Sequence, residues 1–439
     1  MTTVTHTTTD GRSPAVNVPA VKLAYLVSRF PKLTETFVLY EVTTMERLGF
    51  AVDVYALQRQ KTRVMHAEAE RRMDTVHFAS FLSLALLTAN IRMLLRHPWR
   101  YLHTLFTLMR ANWGSFRYFV GACVFYPKAV YFSHRMVQAG VNHLHAHFAS
   151  HPAAMAYAIH RLSGIPYSFT AHGSDLHCDR HMLAEKVTDA TFTVTISDYN
   201  KQLICDEVPG CEPPSIRVIH CGVDTEAFSV RQTPTTYDQD GGPFQILCTG
   251  TLHEVKGQRY LIDACWHLHQ QDRQIECHFI GDGPDRSMLT RLVARYDADA
   301  PDDRSFRNCI HFHGQLRQAA LRQRLQTADA VVTPSVPTSD GRREGIPVAL
   351  MEAMATGVPT IASRLSGIPE LIDDGISGLL VAPGDVSGLA HAIERLMDDA
   401  TLRNQLGHAG RHQVEREFDL VGNANLLASQ IQATLEAPA

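Results

Sequence analysis

The feature that most constrains this chain is a recurring unit: a short apolar run, a loop, a helical stretch and another short apolar run. Lys22 to Val27 and Ala51 to Leu57 read as strands, with a helical stretch from about Glu35 to Leu48 between them, stopped by Gly49. A strand ending at His147, a helix around Pro152 to Leu162, and strands at Tyr167 to Ala171 and Thr191 to Ile196 continue the pattern. Ser229 to Pro243, with Thr, Gln, Asp, Gly and Pro, reads as a linker. A second set of units starts at Phe244 to Thr249. It runs through a helix near Gln258 to Gln270, strands at Glu276 to Gly281 and Ile310 to Gly314, a helix at Gln318 to Gln326 and a strand at Ala330 to Pro334. Strand, loop, helix, strand is the opening of a doubly wound α/β domain, and here it occurs in two sets.

The 439 residues suit two or three domains, and the net charge of −4 gives the whole chain no nucleic-acid signature. Nine scattered cysteines without a C-x-x-C pair point to reduced thiols in a cytoplasmic compartment. Residues 1–20 lack the basic segment and apolar core of a signal peptide and read as a disordered tail. The uncharged stretch Thr75 to Ile91 has 17 residues, which is marginal for a membrane span, so none is expected.

One segment departs from this ordinary composition. From Thr75 to Ser174, one hundred residues contain no Asp or Glu but eight Lys or Arg: Arg92, Arg96, Arg100, Arg110, Arg117, Lys128, Arg135 and Arg161. Pro98 to Trp113 reads as a helix with Pro in its first turn and Gly114 after its end. Trp99, Tyr101, Leu102, Leu105, Phe106, Leu108, Met109 and Trp113 fill one half of its wheel. Arg96, Arg100, His103, Thr107 and Arg110 gather in the other. A basic amphipathic helix with two Trp fits an anionic membrane surface. A helix packed on the core with its Arg in water fits the same pattern. The missing acids favour the membrane, because a solvated face usually mixes signs.

The most informative stretch for function is Glu344-Gly345-Ile346-Pro347-Val348-Ala349-Leu350-Met351-Glu352. It follows the Gly-rich loop Ser339-Asp340-Gly341-Arg342-Arg343 and leads into a helix read from Val348 to Thr356, closed by Gly357. Eight residues of helix advance about 12 Å. That is roughly the span from a sugar across a diphosphate to a ribose. Free N–H groups at the helix start suit phosphate. Glu344 would then meet the sugar, Gly345 to Val348 the phosphates and Glu352 the ribose hydroxyls. A helix with one N-terminal and one interior Glu is the plainer reading.

With Glu352-Ala353-Met354-Ala355-Thr356-Gly357-Val358-Pro359-Thr360-Ile361-Ala362-Ser363, Gly367-Ile368-Pro369-Glu370-Leu371-Ile372 and Asp373-Asp374-Gly375-Ile376-Ser377-Gly378-Leu379-Leu380-Val381, this stretch closely resembles the donor-site motif of glycosyltransferase family 4, over about forty residues. Those are retaining enzymes of the GT-B fold. The loop Ser28 to Phe37 resembles that of members working in exopolysaccharide or colanic acid biosynthesis.

The resemblance implies two Rossmann-like doubly wound domains facing a cleft: an acceptor domain at 21–228 with a basic insert at about 75–140, a linker at 229–243, a donor domain at 244–420, and a crossover helix at 421–439 that returns to the first domain. It implies catalytic roles for His172, at the donor sugar, and for Glu344 and Lys256. A cation such as Lys256 can neutralise the departing diphosphate. Thr251 stands where relatives usually carry a second phosphate-binding Arg, with Arg342 and Arg343 as substitutes. Gly281 and Gly283, in Phe279-Ile280-Gly281-Asp282-Gly283-Pro284, would line the nucleotide end. Arg29 would border the acceptor, and Asp175 is a weaker acceptor-side candidate for which a helix N-cap role serves equally. His143, His145 and His147 share one strand face and invite a metal reading. No Cys or carboxylate stands near them in sequence and the family needs no metal, so no metal or other cofactor is expected. Val218 to Asp224 and Phe228 read as structural.

The function implied is transfer of a hexose from a nucleoside diphosphate sugar to a lipid-linked polysaccharide or glycolipid acceptor, by a cytoplasmic enzyme docked on the inner membrane face. Two alternatives stay open: a sugar-nucleotide epimerase or hydrolase of the same fold, and, because of Thr251, a non-catalytic donor-binding subunit docked on the membrane.

Overall fold

The computed structural model describes residues 21–31, 36–60, 67–211, 215–231, 237, 241–301 and 304–436. The tail at 1–20, residues 32–35 of the first loop and most of the linker, 232–236 and 238–240, lie outside the described residues.

Two parallel sheets organise the chain. The first contains β1 (Lys22–Phe30), β2 (Ala51–Arg59), β3 (His77–Phe78), β4 (His143–His147), β5 (Tyr167–Ala171), β6 (Phe192–Thr195) and β7 (Ile216–Val218), in the order β3-β2-β1-β4-β5-β6-β7. The second contains β8 (Phe244–Thr249), β9 (Ile275–Ile280), β10 (Ile310–Gly314), β11 (Ala330–Thr333), β12 (Thr360–Ser363) and β13 (Leu379–Val381), in the order β10-β9-β8-β11-β12-β13. All pairings are parallel; Leu23 of β1, for example, lies opposite both Val52 and His143. Central strands of such sheets are covered on both faces, which is why β1 and β4 are near-continuously buried rather than alternating.

Helices cover the faces for the expected reason. The Thr36–Arg47 helix buries Val38, Leu39, Val42 and Met45 at helical spacing and is followed by Gly49 at φ 95°, a left-handed position that suits glycine. The final helix, Leu420–Glu436, crosses to the first domain, where Ala424, Leu427, Ala428 and Ile431 join Leu23, Tyr25, Val38 and Val42 in one core.

The segment rich in basic residues forms three helices, Leu84–Arg96, Pro98–Ala111 and Phe116–Gln138. The third carries Pro127 inside it, and the Pro127 carbonyl accepts a hydrogen bond from Asn90 Nδ2. The Pro98–Ala111 helix buries Thr104 and Leu108, while Trp99, Leu102 and Phe106 of its apolar half are exposed. Lys128 is turned inward: its ammonium donates to the Leu57 carbonyl and sits over the Phe81 ring. Arg161 pairs with Asp189. Of the eight basic side chains in the acid-free block, Lys128 is therefore committed inside the fold and Arg161 to a surface ion pair. Among the described residues no helix is long and apolar enough to cross a membrane.

Candidate active site

In each sheet the strand order reverses once, between β1 and β4 and between β8 and β11. Ligands of open α/β sheets bind outside the carboxyl ends of the strands at such points. Here both switch points open onto one cavity of about 660 Å³, within the usual range for a small-molecule site. The first domain contributes Thr36 and Phe37 beyond β1, Phe148 after β4, His172 and Ser174 after β5, and Ile196 after β6. The second contributes Thr249 to Lys256 around the end of β8 and Arg342 to Val348 after β11.

The helix that follows the Glu344 loop runs Val348–Ala355, with Pro347 at its N-cap and no side-chain capping bond. Its orphan N–H groups therefore face the cavity, whose wall includes Gly345, Ile346, Pro347, Val348 and Ala349. A Cβ on Gly345 would lie 2.6 Å from the His172 carbonyl, so a bare glycine is what lets this loop of the second domain close against His172 of the first. Glu370 adds to the closure: its carboxylate accepts from the N–H groups of Asp198 and Tyr199 at 2.7 and 2.9 Å.

Lys256 Nζ lies 2.6 Å from Glu344 Oε2, an ion pair mostly shielded from water. One helical turn or more beyond, Glu352 is 8 % exposed, and burial pushes its carboxyl up to about 7, with Arg322 pulling the other way. Tyr40, from the first domain, faces Glu352, and burial and that carboxylate both raise its phenol. Arg342 is held by Asp340 at 3.0 Å and Arg343 donates to the Tyr199 hydroxyl; both line the cavity, as does Thr251.

His172 follows β5 directly and is buried against the rings of Phe37 and Phe148 at 4.8 and 4.6 Å between centroids. Burial, and secondarily His147, hold its imidazole well below the usual range, so it is neutral. Gly173 beside it has φ 121°.

Gly281, Gly283 and Asp175 have structural surroundings of their own, and Arg29 lies at a second cavity. Gly281 and Gly283 are not in the cavity wall; they pack against the backbone of Gly250 and Leu252, leaving no room for a Cβ, and so shape the β8 loop from behind. Asp175 is a buried clamp: its carboxylate accepts from the N–H groups of Ala149, His172 and Gly173 at 2.5, 3.0 and 2.8 Å, which fixes the loop carrying His172. Its oxygens are thereby occupied, although it borders a second cavity. Arg29 borders that second cavity of about 750 Å³ too, with Arg117, Asp179 and Asp340, and donates to Gln58. The two cavities share Phe148, Ser174 and Arg342.

Phe37, Phe148, Cys221 and Gln318 of the main cavity were not singled out from sequence as site residues. Phe148 had one signal: it follows a strand ending in His147. Its φ of 78° is uncommon for a phenylalanine and marks a constrained position. Glu41, His145 and His147 each bring one ligand-type atom within 4.8 Å of the others, so a carboxylate does approach the histidines in space. Both ring nitrogens of His145 meet hydroxyls, of Ser168 at 2.8 Å and Thr170 at 3.0 Å.

Two parallel doubly wound sheets around one cleft, with the last helix returning to the first domain, make this a GT-B protein. HepE of Anabaena, solved in complex with UDP, superimposes with a TM-score of 0.68 at 16% identity, covering 94% of this chain and 100% of that one. Residues 243–399 match the model for glycosyl transferases group 1, so the chain carries a glycosyltransferase domain of that group. The amylovoran biosynthesis glycosyltransferase AmsK of Erwinia amylovora is 29% identical over 433 residues, 95% of this chain and 99% of that protein. WcaL of Escherichia coli K12, named for colanic acid biosynthesis, is 29% identical over 94% of this chain and 100% of its own length.

Proposed function

We propose that the protein is a retaining glycosyltransferase of exopolysaccharide assembly, moving a hexose from a nucleoside diphosphate sugar to a lipid-linked acceptor. The observation that carries this reading is the composition of one cavity between the domains. An uncapped helix start and Lys256 suit a diphosphate, Glu352 suits a ribose diol, and Glu344 and His172 flank the space left for a sugar. The bond from the anomeric carbon to the phosphate oxygen breaks, and the acceptor oxygen bonds to the same carbon on the same face. The departing phosphate oxygen takes the acceptor proton. Lys256 and the helix N–H groups stabilise the charge that develops there. Arg342 and Arg343 supply the positive charge that Thr251 lacks. The acceptor enters through the second cavity, where Arg29 and Arg117 suit an anionic group.

The enzyme works docked on an anionic membrane surface, the cytoplasmic face of the inner membrane. Leu84, Leu87, Leu95, Trp99, Leu102, Phe106 and Phe116 on the three helices of the basic segment, and Trp113 in the turn between the last two, are all more than half exposed. Arg92, Arg96, Arg100, Arg110 and Arg117 stand among them with no acidic residue in that stretch of sequence. Apolar side chains that enter the interface and cations that meet lipid phosphate reinforce each other.

The test is transfer from a panel of nucleoside diphosphate hexoses, uridine nucleotides first, to lipid-linked acceptors on anionic vesicles, with the anomeric configuration of donor and product compared by NMR. Product of the same configuration supports the reading, and an inverted product refutes retention. Donor consumed without acceptor marks an epimerase or hydrolase. Nucleotide bound without any transfer marks a non-catalytic subunit.

A further inference from the structure

Behind His172 a line of buried polar groups runs away from the cavity into the first domain. His172 Nε2 lies 3.0 Å from His147 Nδ1. His147 Nε2 lies 3.2 Å from Glu41 Oε1, with its N–H off the line to that oxygen, so the contact is electrostatic rather than a linear hydrogen bond. The Tyr25 hydroxyl donates to the same oxygen at 2.9 Å. At the other end His172 Nδ1 lies 3.6 Å from Cys221 Sγ, in the cavity wall. His147, His172 and Tyr25 are buried, and Glu41 is partly buried.

With Glu41 ionised and His147 neutral, proton counting along this line gives one arrangement. An ionised carboxylate only accepts, and a neutral imidazole carries one donor and one acceptor nitrogen. Glu41 therefore draws the proton of His147 to Nε2. His147 Nδ1 is then a bare lone pair, and the short contact to His172 requires the His172 proton on Nε2. That leaves Nδ1 of His172 as an acceptor on the side of the cavity wall. Burial also raises the Cys221 thiol, so sulfur keeps its proton and can donate to that nitrogen. His145 stands outside the line, because both its nitrogens meet hydroxyls.

We propose that Glu41, acting through His147, fixes His172 as the Nε2–H tautomer and so presents Nδ1 as a hydrogen-bond acceptor for a hydroxyl of the bound sugar. Glu41 and His147 are positioning residues; His172 is the group that meets the sugar. The last clause rests on the donor-sugar reading of the cavity, whereas the tautomer does not. Three elements supply the line, the Thr36–Arg47 helix and the ends of β4 and β5. Sequence alone could not assemble it, since Glu41 and His147 are over one hundred residues apart.

The experiment is long-range 1H–15N correlation spectroscopy on uniformly 15N-histidine-labelled full-length protein, with the His172 signals assigned by their loss in His172→Asn. The expected result for wild type is His172 protonated on Nε2. In Glu41→Gln it becomes a mixture of both tautomers, with kcat for transfer down tenfold or more and the donor KM within about twofold. Tyr25→Phe keeps the carboxylate and should keep the tautomer. Wild-type His172 protonated on Nδ1 overturns the proposal without any variant, and an unchanged tautomer in folded Glu41→Gln overturns it whatever the activity does. A stoichiometric divalent ion that is lost in His147→Asn also overturns it, because His147 would then be a ligand and not a relay. A protein that transfers no sugar, yet shows the expected tautomers, defeats the functional reading and leaves the role of Glu41 standing.

Discussion

Replacing Glu352 by Gln should make the unliganded protein more stable at pH 8 and leave its stability unchanged at pH 4. Burial pushes the Glu352 carboxyl from 4.5 to about 7, against the opposing pull of Arg322. Between those two pH values the folded protein holds a proton that the unfolded chain has released. The protonated carboxyl is therefore well accommodated below pH 4.5, and that stability is lost as pH rises through 7. The interval corresponds to about 3 kcal/mol once both states are ionised. The amide of Glu352→Gln cannot ionise, so variant minus wild type should grow from near zero at pH 4 to about 3 kcal/mol at pH 8. For a donor domain of this size that is a rise of roughly 6 °C or more in melting temperature. Thermal unfolding of both proteins at half-unit steps from pH 4 to 8.5 measures it, and every other titrating group cancels in the difference. A difference that is flat with pH, or a variant less stable at pH 8, would refute the reasoning. The same variant should lose most of the stabilisation conferred by a nucleoside diphosphate, since ribose hydroxyls favour the ionised carboxylate. Wild-type donor affinity should accordingly rise with pH up to about 7 and then level off.

Glu344→Gln leaves Lys256 without its partner, so a free nucleoside diphosphate should bind several-fold tighter by calorimetry while transfer falls about a hundredfold; intact turnover would remove Glu344 from the mechanism. Gly345→Ala places a methyl against the His172 carbonyl, and should cost about 1–3 kcal/mol of stability and raise the donor KM; a variant with wild-type melting temperature and KM would contradict the close approach. Trp99→Ala with Trp113→Ala should release the protein from vesicles containing anionic lipid in a flotation assay, and about 0.5 M salt should release the wild type in part. Equal flotation of variant and wild type would argue that the exposed helices meet something other than lipid.

The backbone of both domains was legible because parallel strands buried on both faces leave continuous apolar runs. Tyr167–Ala171, Phe244–Thr249 and Ile310–Gly314 occupy the positions their sequences suggest, and so does the Gln258–Gln270 helix. What escaped were short edge strands such as His77–Phe78 and Ile216–Val218, which have too few residues to show a period. The Phe116–Gln138 helix escaped as well, since Pro127 interrupts its pattern and is tolerated by packing. Of the candidate residues, those adjacent in sequence to the nucleotide motif could be read as one element. The aromatic wall of Phe37 and Phe148 and the line through Glu41 could not, because they exist only once β1, β4 and β5 lie side by side. Gly281 and Gly283 show the converse: a glycine pair that looks like a ligand-facing turn is needed instead by the backbone behind it.

The charges of the cavity are held in ways that a donor would exchange. Lys256 is paired with Glu344, Arg342 with Asp340, and Glu352 keeps a proton up to about pH 7. A diphosphate entering at the helix start competes with Glu344 for Lys256 and so releases the carboxylate next to the space for the sugar. A ribose entering at Glu352 favours loss of its proton. If the proposed function holds, each part of a nucleotide-sugar would replace an internal partner, and the groups placed at the sugar would become available only after the diphosphate has arrived. A free sugar brings no anion to displace Glu344 from Lys256, so it should bind weakly on its own and better once a nucleoside diphosphate is in place. This exchange also gives Thr251 a physical rationale. A second fixed cation on that loop, beside Lys256, would strengthen the hold on the diphosphate product as much as on the donor. Arg342 and Arg343 instead stand on the loop that leads to Glu344, paired with Asp340 and Tyr199, and can be drawn in as the negative charge develops.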